Sequence, residues 1–131
     1  MALHRLAILP LAVMLHACAA APAPVPFDLY TGEPDAARID AQFAAEMSAR
    51  YGPNSSRESI VRDLDAQGFQ CADVPPVEAR GDYLLARCTL AKPHGLCTNQ
   101  WAVEVRYASQ GAARAQGSFR RPCVGPAAPA G

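Results

Sequence analysis

The residues of this chain with the most reactive chemistry are its cysteines. Five occur, at Cys18, Cys71, Cys88, Cys97 and Cys123. The last four are separated by 17, 9 and 26 positions, with no C-x-x-C pair among them. Those spacings do not suit zinc, and the one histidine beyond residue 16 is His94, in the run Lys92-Pro93-His94-Gly95. No metal and no other cofactor is expected. Four cysteines in a short chain read instead as two disulfides, with three possible pairings. Oxidised cysteines are not nucleophiles. Gly-x-Ser-x-Gly, His-Glu-x-x-His and the P-loop are all absent. The close carboxylate pairs, Asp63 with Asp65 and Asp35 with Asp40, fall on helix surfaces, where solvation is their ordinary state. The chain is therefore not expected to be an enzyme.

An α+β domain is predicted to position these groups: two short helices packed on a three-stranded antiparallel sheet, in the order ααβββ. Pro34 to Tyr51 reads as a helix, with Ile39, Phe43 and Met47 on one stripe and Gly52-Pro53 as its stop. Ser55-x-x-Glu58 reads as a capping box for a second helix, whose apolar face is Ile60, Val61 and Leu64. Gly68 suits a left-handed cap, with Phe69 folding back over the last turn. Asp82–Leu90, Thr98–Tyr107 and Ala113–Arg121 alternate as strands, with Lys92–Gly95 breaking the first run.

The strand register can be derived. A three-residue loop at 109–111 opposes residues whose numbers sum to 220, so Trp101 faces Phe119, Val103 faces Gly117 and Val105 faces Ala115. A two-residue loop would set those apolar residues against Arg114, Gln116, Ser118 and Arg120. The buried face decides for the first. The same sum seats Cys97 opposite Cys123, within disulfide reach. Elimination leaves Cys71–Cys88, joining the end of the second helix to the first strand.

Charge is divided between the layers. From Cys18 to Glu78, four arginines stand against ten carboxylates, a balance of −6. From Ala79 onward, seven basic residues stand against two acidic ones, a balance of +5. The register turns Arg87, Arg106, Arg114 and Arg120 to the solvent side of the sheet, with Gln100, Glu104 and Gln116. Such a face suits an anionic partner: a protein, lipopolysaccharide or the carboxylates of peptidoglycan. Nucleic acid is not expected, because the face has no stacking aromatics.

The N-terminus bears on where this happens. Leu6–Leu15 is an apolar run of ten residues after Arg5, suited to a signal segment and too short to span a bilayer. Leu15-His16-Ala17-Cys18 follows, and resembles the lipobox of bacterial lipoproteins. The resemblance covers the first 18 residues, with His16 where a small residue is usual. It implies cleavage before Cys18, acyl chains on Cys18 and a membrane partner through that lipid. Ala19, in place of the Asp that favours inner-membrane retention, implies the periplasmic face of the outer membrane. Ordinary secretion with cleavage after Ala21 is the alternative. The organisation is then a signal peptide at 1–17, an Ala/Pro tether at 18–27, the stapled domain at 28–123 and an unpacked tail at 124–131.

A lipidated cysteine, a Pro-rich tether and two helices before three strands are together similar to the small lipoprotein of the outer-membrane β-barrel assembly machinery. They are also similar to β-lactamase-inhibitor-like domains. Gly52, Ser55, Val61, Leu64 and Gly68 loosely fit the second helix of that group. The resemblance implies a non-catalytic domain that binds or scaffolds an envelope component. The alternative is a periplasmic enzyme-inhibitor or sensor domain.

Overall fold

The computed structural model describes residues 27–75, 83–108 and 111–125. The expected signal segment, Cys18, nearly all of the tether and most of the tail lie outside the described residues. Helix α1 spans Ala36–Arg50, and its stripe of Ile39, Phe43 and Met47 is buried, as the apolar spacing predicts. It starts after Pro34 because Asp35 is the cap, accepting the Ala37 N–H at 3.0 Å.

Helix α2 spans Arg57–Ala66. Its cap is Ser56, not Ser55: the Ser56 hydroxyl oxygen accepts the Ser59 N–H at 3.1 Å. The Ser55 carbonyl is engaged elsewhere, accepting the Ala113 N–H at 2.9 Å. A long-range bond accompanies the one-residue shift of the cap. Gly68, at φ 92°, ends the helix as expected, and the Phe69 N–H returns to the Leu64 carbonyl at 3.0 Å.

The sheet has four antiparallel strands in sequential order: β1 Gln70–Val74, β2 Leu84–His94, β3 Cys97–Tyr107 and β4 Arg114–Arg120. β1 corrects the predicted three-stranded sheet. This short edge strand shows no apolar alternation, and its pairing with β2 and the Cys71–Cys88 bond locate it. It stands between α2 and β2, so the helix-helix-three-strand order is not reproduced. β2 also runs on through Pro93 to His94, where the sequence predicts a break. The opposite residue, Thr98, donates its N–H away from β2 to Pro122, so Pro93 lies where β3 requires no donor. β1 ends opposite Thr89, and beyond it no strand among the described residues pairs with that side of β2.

β3 and β4 pair in the derived register: Trp101 faces Phe119, Val103 faces Gly117 and Val105 faces Ala115. Cys97 faces Cys123 one step further on. Both disulfides form as derived, Cys71–Cys88 and Cys97–Cys123, with Cα atoms 4.0 Å and 3.9 Å apart. Cys71–Cys88 joins two neighbouring strands, however, because the chain enters β1 immediately after α2.

The helices cover one face of the sheet, and the core fills the space between. Val103, Val105, Trp101 and Cys88 are fully buried against Phe43, Ile60 and Leu64. Ala86 joins them, whereas Leu84, on the same side at the sheet's end, is 39% exposed. Gly117 permits the close approach of α1: a Cβ there would stand 2.6 Å from Met47 Cγ and 2.9 Å from Phe43 Cδ1. Among the described residues, no helix is long and apolar enough to cross a membrane.

One ionic cluster ties the helices together. Arg50 donates to both oxygens of Asp63, at 2.7 Å and 3.1 Å, and the Tyr51 hydroxyl donates to Asp63 at 2.9 Å. Burial pushes the Asp63 carboxyl up, but these hydrogen bonds outweigh it and hold the group below the ordinary aspartate value. A depressed carboxyl contributes stability that is present above its unfolded value of about 3.9 and is lost as pH falls through the folded value. Asp63→Asn should therefore lower stability at pH 7 by about 1.5 kcal/mol, since charge-assisted bonds are lost. It should also flatten the fall in stability below about pH 4. Urea titrations across pH on both proteins check this, and parallel acid limbs would contradict it.

Candidate functional site: the arginine-bearing sheet face

The face of the sheet turned away from the helices carries the four predicted arginines. Alternation along the strands puts them there, and Arg87, Arg106, Arg114 and Arg120 are all exposed. Arg87 pairs with Glu104 at 3.3 Å, and Arg106 reaches the other oxygen of the same carboxylate at 3.6 Å. Arg106 also lies over the Tyr83 ring, 5.5 Å from its centroid. Arg120 Nε donates to Gln100 Oε1 at 2.6 Å. Among these five charged side chains, four are cationic and one is anionic.

Two of the cations are opposed. Arg106 and Arg114 are direct cross-strand partners on the same face. Like charges so placed destabilise a sheet, and a bound anion relieves the repulsion. Their numbers also sum to 220, so the register that pairs Trp101 with Phe119 in the core sets this opposition as well.

Between Arg87 and Arg120 the face sinks into an open trough of about 700 Å³. Small residues, Ala102 and Ser118, line it beside the longer Gln100 and Glu104. Planar guanidinium groups at such a rim are suited to bidentate bonds with carboxylate or phosphate.

The other candidate groups are dispersed. His94 is exposed at the β2–β3 hairpin, opposite Cys97. Asp35 caps α1, Asp63 is held by Arg50 and Tyr51, and Asp40 Oδ1 accepts the Phe119 N–H at 2.6 Å. Asp65 is exposed. Asp35, Asp40 and Asp63 thus serve separate structural roles, and neither close pair converges on one site. Among the described residues, no group of three or more His, Cys, Asp or Glu is placed to hold a metal ion.

Arg121, which the sequence pattern does not single out, is a structural clasp on the other side. It donates to Asn99 Oδ1 at 2.6 Å and to the carbonyls of Pro34 and Glu33, each at 3.1 Å. No sequence signal marks it, because its partners lie more than 80 residues away in two of the three bonds. No protein-family model, no curated protein and no solved structure matches this chain.

Proposed function

We propose that this chain is a non-catalytic binding domain of the bacterial cell envelope. In this reading lipid on Cys18 holds it at the periplasmic face of the outer membrane, and the sheet face docks an anionic envelope component. The observation that carries the docking is the arginine-rich face, four cations against the single carboxylate of Glu104, with Arg106 and Arg114 opposed. Two disulfides suit an oxidising compartment, and the Leu15–Cys18 motif suits lipidation. Two or more acyl chains would hold the domain stably, whereas one anchors only marginally.

Two measurements test the reading separately. Intact-mass analysis of membrane-extracted protein is expected to show acyl chains on Cys18, and Cys18→Ser is expected to abolish them. A mature protein beginning at Pro22 without lipid would overturn the anchoring. In-cell cross-linking with mass spectrometry is expected to capture an anionic partner on the face. Changing Arg87, Arg106, Arg114 and Arg120 to Gln should remove that capture at a stability cost below about 0.5 kcal/mol per site. Capture that persists, insensitive to salt, would return the face to plain solvation.

A further inference from the structure

Beyond β4 the chain stays beside β3 and the turn before it. The Thr98 N–H donates to the Pro122 carbonyl at 2.9 Å, and the Val124 N–H to the Leu96 carbonyl at 3.0 Å. Between these bonds lies the Cys97–Cys123 disulfide, so main-chain and covalent links fix a narrow finger at this end of the sheet. Leu96 and Val124 are neighbours on it, one step past the bridged cysteines, and they are 80% and 81% exposed. Among the described residues the one other exposed large apolar side chain is Leu84, at 39%. Apolar residues scattered singly over a surface need no explanation, whereas two together on a covalently fixed finger do.

The finger is also cationic. Residues 91–100 and 119–125 include Lys92, Arg120 and Arg121 and no carboxylate. Lys92 and Arg120 are exposed. Arg120 stands four residues back from Val124, about 13 Å along an extended chain. A long cationic side chain set back in this way reaches the headgroups when the apolar tip ahead of it enters lipid. The N-terminal segment passes the same end of the domain, since the carbonyls of Glu33 and Pro34 accept from Arg121, next to Pro122 and the disulfide. Cys18 lies nine positions before Phe27, a reach of at most about 32 Å.

Resting on the proposed anchoring at Cys18, we infer that the Leu96–Val124 tip enters the interfacial layer of the same bilayer. The domain then meets the membrane twice, through acyl chains and through the finger, with Lys92 and Arg120 at the level of anionic headgroups. A second copy of this chain is a poor occupant, because two side chains cover far less than the roughly 800 Å² per partner of a stable dimer. A bilayer demands no such area once the acyl chains hold the finger at high local concentration. The tail GPAAPAG is equally unsuited, having no bulky side chain to cover the pair. Arg106 and Arg114 lie at the opposite end of the β3–β4 ladder, so the docked finger leaves them clear of the membrane.

The test uses the full chain, extracted from membranes and reconstituted in vesicles of phosphatidylcholine and phosphatidylserine. Leu96→Trp and Val124→Trp place reporters at exposed positions on the finger, and Ala112→Trp places one at the opposite end of the ladder. The natural Trp101 is fully buried and gives a constant background. Both finger reporters should emit at shorter wavelength and be quenched by chain-brominated phosphatidylcholine, with Ala112→Trp unaffected. Adding Leu96→Ser to Val124→Trp should lower the inserted-to-free ratio about tenfold or more, since a leucine side chain no longer leaves water. Lys92→Gln should lower it about fivefold in these vesicles and leave it unchanged in phosphatidylcholine alone. Unquenched finger reporters in protein whose intact mass shows acyl chains would overturn the inference and leave the anchoring standing. In protein without acyl chains, quenching on added vesicles would uphold the tip and overturn the anchoring, and no quenching would overturn both. Equal quenching of Ala112→Trp would also overturn the inference. So would a shift to shorter wavelength without quenching, the mark of a second copy covering the finger.

Discussion

Replacing Cys71 and Cys88 together by alanine should lower stability by about 3 kcal/mol, with a melting temperature lower by roughly 12–24 °C for a domain of this size. The bond closes a loop with a sequence separation of 17 and pins β1, the strand with the least apolar support. Cys88 is also fully buried, so packing is lost along with the cross-link. Replacing Cys97 and Cys123 should cost less, although that loop is longer, at 26. Cys123 is exposed beyond the end of β4. Without its bond the end of the chain can peel away locally, which returns entropy to the native state as well as to the unfolded one. Chemical denaturation of the two double variants, with equal slopes, decides the order. A larger loss for the Cys97/Cys123 variant would contradict it.

Phe43→Ala should cost about 3–5 kcal/mol, the range for deleting a buried aromatic ring. Phe43 is fully buried, stacks parallel to Phe69 at 6.4 Å between centroids and meets Phe27 edge-on at 6.3 Å. The size of the loss depends on whether neighbours can collapse into the space. On the sheet side they cannot, because the residue beneath is Gly117, which has no side chain to move. Phe43→Leu keeps most of the volume and should cost less than about 2 kcal/mol. Urea unfolding of both variants checks this, and near-equal losses would show that ring volume does not govern the site.

The β3–β4 register is legible in the sequence because two independent signals agree there. Apolar residues share one parity on both strands, and Cys97 and Cys123 obey the same sum. The arginine face follows from the opposite parity, so its four residues are legible as well. β1 is not, since Gln70 to Val74 alternates no apolar residues and only its partner strand makes it a strand. The cap of α2 reads one residue early because adjacent serines look alike in sequence, and only one of them is met by Ala113.

The two disulfides join successive cysteines, with the 71–88 ring lying wholly before the 97–123 ring. In the proposed export, a chain threaded N-terminus first through a secretion pore would present its thiols to an oxidase in that order. Each of the four would then find its native partner as the nearest one available, with no reshuffling needed. A free thiol at Cys18 would displace the sequence by one, joining Cys18 to Cys71 and Cys88 to Cys97 and leaving Cys123 alone. Thioether formation at Cys18 would take that sulfur out of the count, so that a modification otherwise associated with anchoring would also protect the pairing of the domain behind it.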